Sequence, residues 1–244
     1  MYPNYLNRLE RLGWFKRALW AALPFQTWDE LRFEFHALRM RLKQIFQANR
    51  YRKIKGFYLN IGCGSEGLQG WINLDLFPAP KVNCLWDARR SLPFLDESCE
   101  GIFCEHFLEH MEYTLEVPTF LSECYRVLKS GGKIRLLVPD GETYLQAYSR
   151  GGWGDLEKIR QLTEDAQDPW FGHKYKTRME LINMVFRQGI QHAFTYDFET
   201  LRIALMKAGF KDARKCDPAD STDLKLNLDH PKRISESLIV EAER

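Results

Sequence analysis

Apolar positions recur with two different periods along this chain, and the change from one to the other divides it. In the first part the spacing is helical: Leu9, Leu12, Phe15, Leu19 and Leu23 fall three or four residues apart, and Pro24 closes the segment. "TWDE" then predicts a second helix, started by the Thr27 hydroxyl on free backbone amides and by Glu30 reaching back in a capping box. Trp28, Leu31, Phe35, Leu38, Leu42 and Ile45 continue it as one apolar stripe. Such a stripe has to be covered. Packing on the body of the protein is the first expectation, pairing with a second subunit the next, and lying on a membrane with Arg32, Arg39, Arg41 and Lys43 toward the headgroups the third.

From residue 57 short β-type runs take over: "FYLNI", "WINLDL", "VNCLW", "GIFCEH" and "KIRLLVP". Between the last two, residues 117–129 predict a helix with Phe120, Leu121, Cys124, Val127 and Leu128 on one side, and "KSGG" stops it in a turn. Runs that are apolar on both faces and alternate with helices predict a parallel sheet covered on both sides, an α/β body. A stretch from about residue 150 to 191, rich in Gly, Trp and mixed charge with a helix near 177–188, breaks the alternation; it is placed to form a lid or substrate wall at the sheet's carboxyl edge. The pattern resumes with the helix "DFETLRIALMKAGF", capped by Asp197 and ended by Gly209, and with strand candidates "FKDARKCD" and "ESLIVEAE". The organisation expected is a basic amphipathic helical arm, residues 1–56, followed by one domain, residues 57–244, carrying the insertion.

At 244 residues and 45% apolar content the chain has room for one full-sized core and an extension, which sets aside disordered and fibrous classes. Six cysteines with no closely spaced pair fit a reducing cytoplasm, and no metal-ligand set is expected. The apolar stretches near the start are cut by Arg11, Lys16, Arg17 and Pro24, so no secretory signal is expected, and "ALWAALPF" is too short to cross a bilayer. Net charge is only +2, yet residues 1–57 hold 12 Lys/Arg against 4 Asp/Glu, leaving −6 for the rest. A basic arm on an acidic body suits anionic lipid, nucleic acid or an acidic partner surface, besides the simpler case of charges that face water.

The candidate chemistry lies at the strand ends. Ile61 closes the first β run and delivers "GCGSEG", where Gly62 and Gly64 let the backbone turn sharply and approach a ligand. Asp75, at the end of the next run, follows Gly64 by 11 residues, whereas a dinucleotide site puts its acid about 20 residues past the glycines. Its carboxylate is placed to accept from two ribose hydroxyls, Asp87 from an adenine amine, and Glu105 with His106 stands beside a reacting group. Phosphates call for a helix N-terminus or Lys/Arg at the loop, but the span from Gly64 to Asp75 is short for a helix and no "GK[ST]" follows the glycines. An adenosine cofactor without phosphates is therefore expected.

Five segments in order, "LNIGCGSEGLQGWINLDL", "DARRSLPFLDESCEGIFCEHFLEHM", "ECYRVLKSGGKIRLLVPD", "HAFTYDFETLRIALMKAGF" and "ESLIVEAER", resemble the class I S-adenosylmethionine-dependent methyltransferases. The branch is that of the type 11 methyltransferase domain, with its predicted methyltransferases associated with cell-surface polysaccharide biosynthesis. The resemblance implies a three-layer Rossmann-like fold, a seven-stranded sheet with the last strand antiparallel, preceded here by an N-terminal helical extension. It implies that Gly62, Cys63 and Gly64 line the methionine and ribose of S-adenosylmethionine, that Asp75 with Leu76 holds the ribose, that Asp87 and Ala88 border the adenine, and that Glu105 and His106 lie near the sulfonium. Asn60 stands where many relatives carry an acid, and its amide oxygen is the expected acceptor for the cofactor's amino group.

Methyl transfer requires nucleophile, methyl carbon and sulfur in line, and a hydroxyl acceptor also gains from a general base. Candidate bases are His106, His110, His192, Glu105, Glu109 and Asp140; His192 and His106 are the expected substrate-side pair, with His110 and Glu109 fixing local hydrogen bonds and Asp140 starting a helix. Trp153, Trp170, Phe171, Tyr175 and Phe186 either stack on a sugar or pack the core. "CEHF" replaces the "[DN]PP[YF]" of many amino-group methylators, so the expected acceptor is a small-molecule or glycan hydroxyl. The alternatives are an RNA methyltransferase gripping phosphates with the arm, although nucleic acid is not the expected partner, and a non-catalytic protein docking a partner or membrane. A cytoplasmic location, peripheral at the inner membrane face or dimeric through residues 1–56, completes the expectation.

Overall fold

The β runs read from the sequence become a single sheet in the computed structural model, which describes residues 25–163, 165 and 167–244. The strands are β1 (Phe57–Ile61), β2 (Ile72–Asp75), β3 (Cys84–Leu85), β4 (Cys99–Glu105), β5 (Leu128–Pro139), β6 (Lys211–Lys215) and β7 (Ser237–Glu243), in the order β3-β2-β1-β4-β5-β7-β6. β1 to β5 pair in parallel, and β7 runs antiparallel to both of its neighbours. The winding reverses between β1 and β4, so the carboxyl ends of these two strands flank the place where parallel α/β sheets collect ligands. The helices are α1 (Phe25–Tyr51), α2 (Glu116–Val127), α3 (Gly141–Ser149), α4 (Gly154–Arg160), α5 (Arg178–Arg187) and α6 (Phe198–Lys207).

Strand alternation sends Ile102, Cys104, Leu136, Val138, Leu238 and Val240 into the main core, against Phe120, Leu121 and Cys124 of α2 and Leu201 and Leu205 of α6. The opposite face carries Phe103, Leu137 and Ile239, which meet Cys216, Leu226, Tyr58 and Trp71. Its cover is mainly the irregular chain between β6 and β7. Arg135 of β5 is fully buried on that face and holds the cover in place, donating to both oxygens of Asp229 at 2.7 and 2.5 Å. The two ends of α6 behave as the sequence predicts: the Asp197 side chain accepts from Thr200 N–H at 2.8 Å, and Gly209 takes a φ of +103° just past the last turn. α2 differs slightly. It ends at Val127 and passes directly into β5, so "KSGG" begins the long strand instead of forming a turn after the helix.

α1 departs from the expectation in two ways. It is already helical from Phe25, so Thr27 lies inside it and does not cap it. The stripe also faces the wrong way: Leu31, Phe35, Leu38 and Leu42 are all at least half exposed, while Ala37, Met40 and Gln44 are buried. The rotation has a physical cause. The helix crosses the ends of β2 and β3, where small Ala37 permits close approach to Leu76, Gln44 donates to Leu85 O, and Arg41 reaches a buried carboxylate. Polar bonds at that rim outweigh the area gained by burying the leucines. Leu9, Leu12, Phe15, Leu19 and Leu23 lie outside the described residues. No described helix is long and apolar enough to cross a membrane.

The insertion has a small core of its own. Leu156 of α4 and Leu181, Ile182 and Val185 of α5 pack around Tyr144, Ala147 and Tyr175, with Trp153 and Phe186 partly buried against them. Three of the five insertion aromatics therefore serve packing. Arg160 links this unit to the sheet, pairing with Asp168 at 2.8 Å and with Glu236 just before β7.

Breaking a buried ion pair from one side leaves the other charge unsolvated. Asp229→Ala should therefore lower unfolding stability by about 3–5 kcal/mol, checked by denaturant unfolding; a loss below about 1 kcal/mol would show that Arg135 is solvated or re-paired.

Candidate active site

The glycine loop and the acid of β2 are joined directly. Gly62 and Gly64 take φ values of +69° and +48°, a region open to glycine without strain. A Cβ at Gly62 would stand 2.5 Å from the Phe107 ring, so the loop lies against the residue that follows β4; a Cβ at Gly64 would meet nothing within 4 Å. Gly64 N–H donates to Asp75 Oδ2 and Phe77 N–H to Asp75 Oδ1, each at 2.8 Å. These bonds fix the carboxylate at the end of β2, and among the described residues it has no cationic partner. No helix separates β1 from β2. Asn60 is buried and its amide N–H donates to Glu66 O and Asn73 Oδ1, both at 3.3 Å, which leaves the carbonyl oxygen as its acceptor. Burial, with Asp75 nearby, pushes the Cys63 thiol up to about 12, so it is no nucleophile. Leu76 is buried under α1 and Ala88 in the main core.

Asp87 lies two residues beyond β3 and its carboxylate is already engaged. Arg89 donates to both oxygens at 2.9 Å and Arg41 of α1 donates to Oδ2 at 2.8 Å. Burial by itself would raise its pKa, but the two guanidiniums hold it below the usual carboxylate range. An adenine amine at this position would share the carboxylate with them. The sequence offered no sign of Arg41: among evenly basic helix residues, nothing marks the one that turns inward.

The reaction wall begins where β4 ends. Glu105 accepts from His230 N–H at 3.2 Å. His106 takes a φ of 49° and donates its backbone N–H to Leu137 O at 2.8 Å, while its Nε2 lies 2.9 Å from Ser237 Oγ and its Nδ1 3.3 Å from Glu109 Oε1. Glu109 is 1% exposed, and neither of its oxygens makes a hydrogen bond in good geometry. Burial would raise its pKa, but the imidazoles of His106, His110 and His192 hold it down at about 2. His192 arrives from the far end of the insertion because Ala193 and Phe194 donate their N–H groups to Glu109 O at 2.7 and 3.2 Å. Its ring stands edge-on to His110 with centroids 4.9 Å apart, and burial lowers its pKa to about 4.

These groups form one wall of a cavity of about 250 Å³. Trp170, Phe171, Met184, Gln188 and Arg233 face them, with the Arg233 guanidinium 4.6 Å from the Trp170 ring centre. Of the proposed bases the structure brings His106, Glu109, His110 and His192 together. Asp140 stays apart: it caps α3, accepting from Thr143 N–H at 3.2 Å, and pairs with Lys215. Glu109 and His110 read from the sequence as local hydrogen-bonding residues; the signal for more is the repeated Glu-His pair in "EHFLEH", two such pairs within the six residues 105–110 at the end of β4.

The rim fits an adenosine without phosphates. Residues 62–75 contain no Lys or Arg, no helix N-terminus among the described residues meets the loop, the space in front of Gly64 is open, and Asp75 presents a fixed acceptor. A family model described as a methyltransferase domain matches residues 59–136, the segment from β1 into β5 that holds Gly62, Gly64, Asp75, His106 and Glu109. Over those residues the chain is similar to a methyltransferase domain. No curated protein matches its sequence. Similar solved structures include a SAM-dependent methyltransferase from Thermotoga maritima, with 15% identity, 86% of this chain and 97% of that one covered and a TM-score of 0.43. Others are a SAM-dependent methyltransferase from Archaeoglobus fulgidus (19%, 86% and 94%, 0.42) and an S-adenosylmethionine-dependent methyltransferase from Mesorhizobium loti (17%, 78% and 92%, 0.40). All three are distant.

The rim gains part of its order from the Arg41–Asp87–Arg89 cluster. Because the folded-state pKa of Asp87 is lowered, its stabilisation is complete above the unfolded carboxylate value of about 3.9 and is lost as pH falls through the folded one. Hydrogen exchange should show the α1 amides protected from neutral pH down through that range and released only below it; release already between pH 7 and 5 would contradict the role of this cluster.

Proposed function

We propose that the chain methylates a hydroxyl of a small molecule or glycan held in the cavity between the histidine wall and the insertion. The observation that carries this reading is the position of that cavity: Phe107 touches Gly62 on one side, and the adjoining His106 and Glu109 line the cavity on the other. When bound, S-adenosylmethionine supplies an electrophilic methyl carbon on a sulfonium, which leaves in line as the sulfur keeps the electron pair. Gly62, Cys63 and Gly64 would take its methionine and ribose, Asp75 the ribose hydroxyls, Asn60 the amino group, and Leu76, Asp87 and Ala88 the adenine side.

The chain's own residues then prepare the acceptor. A hydroxyl must give up a proton as its oxygen becomes the ether, and His106 and His192 are the groups that accept or relay it. Glu109 orients His106 from Nδ1, and His192 Nδ1–H donates a hydrogen bond to Val185 O at 2.7 Å. Trp170 and Phe171 offer faces for a sugar ring, and the insertion shelters the site from water. A glycan precursor assembled at the cytoplasmic face of a membrane suits this site. The exposed stripe of α1, with Arg39 and Lys43 beside it, would rest on that surface or on a second copy of the chain.

Incubation with methyl-labelled S-adenosylmethionine and a panel of nucleotide sugars, lipid-linked glycans, small phenols and amines should place label in an alkali-stable ether. His192→Ala should lower kcat by about 100-fold or more with little change in cofactor affinity. Label confined to nitrogen acceptors or to RNA would overturn the hydroxyl assignment.

A further inference from the structure

Glu109, His110 and His192 form the one cluster of possible metal ligands among the described residues: one ligand atom from each lies within 4.8 Å of the others. Three independent features distinguish it from an ordinary polar corner. The Glu109 carboxylate is buried yet has no aligned hydrogen-bond donor on either oxygen, a cost that a protein tolerates where something else satisfies the group. Both imidazoles are fixed through their other nitrogen, since His110 Nδ1 lies 3.0 Å from Gln191 O and His192 Nδ1 2.7 Å from Val185 O. A carbonyl accepts only, so each Nδ1 carries the proton and each Nε2 a lone pair, the arrangement that metal-binding histidines use. The third feature is rigidity: Ala193 and Phe194 are hydrogen-bonded to Glu109 O, which ties His192 to its partners across 82 residues of sequence.

We propose that Glu109, His110 and His192 bind one divalent first-row transition ion, with open coordination positions facing the acceptor pocket. Two imidazoles and one carboxylate suit Mn²⁺, Fe²⁺, Co²⁺ or Zn²⁺, whereas Mg²⁺ prefers oxygen ligands throughout. His106, 3.3 Å from Glu109 Oε1, positions the carboxylate from behind. The Tyr196 hydroxyl is also buried without a hydrogen bond, and burial together with the Glu109 charge raises its pKa.

The ion's role in catalysis rests on the methyl-transfer reading; its binding does not. An acceptor hydroxyl at an open position would become more acidic, so its O–H bond would break with the proton passing to His106 as the oxygen takes the methyl carbon and the sulfur keeps the electron pair.

The test uses the full chain, stripped with a chelator and dialysed against Co²⁺, Mn²⁺, Zn²⁺ or Mg²⁺. We expect one equivalent of Co²⁺, Mn²⁺ or Zn²⁺ per chain by elemental analysis and visible absorption bands for bound Co²⁺. Glu109→Gln and His110→Ala should abolish the stoichiometric binding, while His106→Ala should weaken it by about 10–100-fold. His110→Ala serves as the fold-neutral variant because its ring is exposed, and its far-ultraviolet circular dichroism and affinity for S-adenosylhomocysteine should match the parent. Binding of none of the three ions, or binding unchanged in both ligand variants, would overturn the proposal. A stoichiometric ion in a chain that transfers no methyl group to any hydroxyl would uphold the site and remove the methyl-transfer reading alone.

Discussion

Asp75 accepting the Gly64 N–H at 2.8 Å sets the geometry of everything around the rim. A parallel sheet brings the carboxyl ends of β1, β2 and β4 to one edge, but an edge alone is only a set of loose loops. The bond fastens the loop after β1 to the end of β2 and holds there a carboxylate that has no cationic partner among the described residues. Gly62, on the same loop, must be bare because Phe107 occupies the place of a side chain. Through that contact the loop determines where His106 and Glu109 stand, and through Glu109 O it determines where the far end of the insertion returns. One hydrogen bond and one close approach thus link the cofactor rim to the acceptor pocket.

Electrostatics differs between the two halves of the site. On the adenine side a buried carboxylate is matched by two guanidiniums, a strong and closed arrangement that also docks α1. On the acceptor side a buried carboxylate meets only imidazoles, which carry their positive charge conditionally. The first half is built for permanence. The second has a charge left to satisfy, and that is where a substrate, a proton or an ion has something to gain by binding.

The β runs and the helices α2, α5 and α6 were legible in the sequence, because burial on both faces of a parallel strand leaves continuous apolar runs and the caps carry local signatures such as Asp197 and Gly209, whereas the antiparallel last strand came from the resemblance and the strand order from neither. The stripe on α1 was misread. Its period was right, but period says nothing about which face docks, and here Arg41, Gln44 and Ala37 decided the rotation through long-range bonds to β2 and β3. The histidine cluster was half visible: His106 and His192 stood out as a substrate-side pair, while their meeting around Glu109 and His110 depends on chain closure over the insertion, which no local spacing records.

Isothermal titration of the full chain with S-adenosylhomocysteine tests the central claim, that the Gly64–Asp75 rim seats an adenosine free of phosphates. Stoichiometric binding is expected, weakened about 10–100-fold by Asp75→Ala, the worth of about 1.5–3 kcal/mol for hydrogen bonds to a charged acceptor. Absence of heat from a folded sample, or equal affinity in parent and variant, would contradict it.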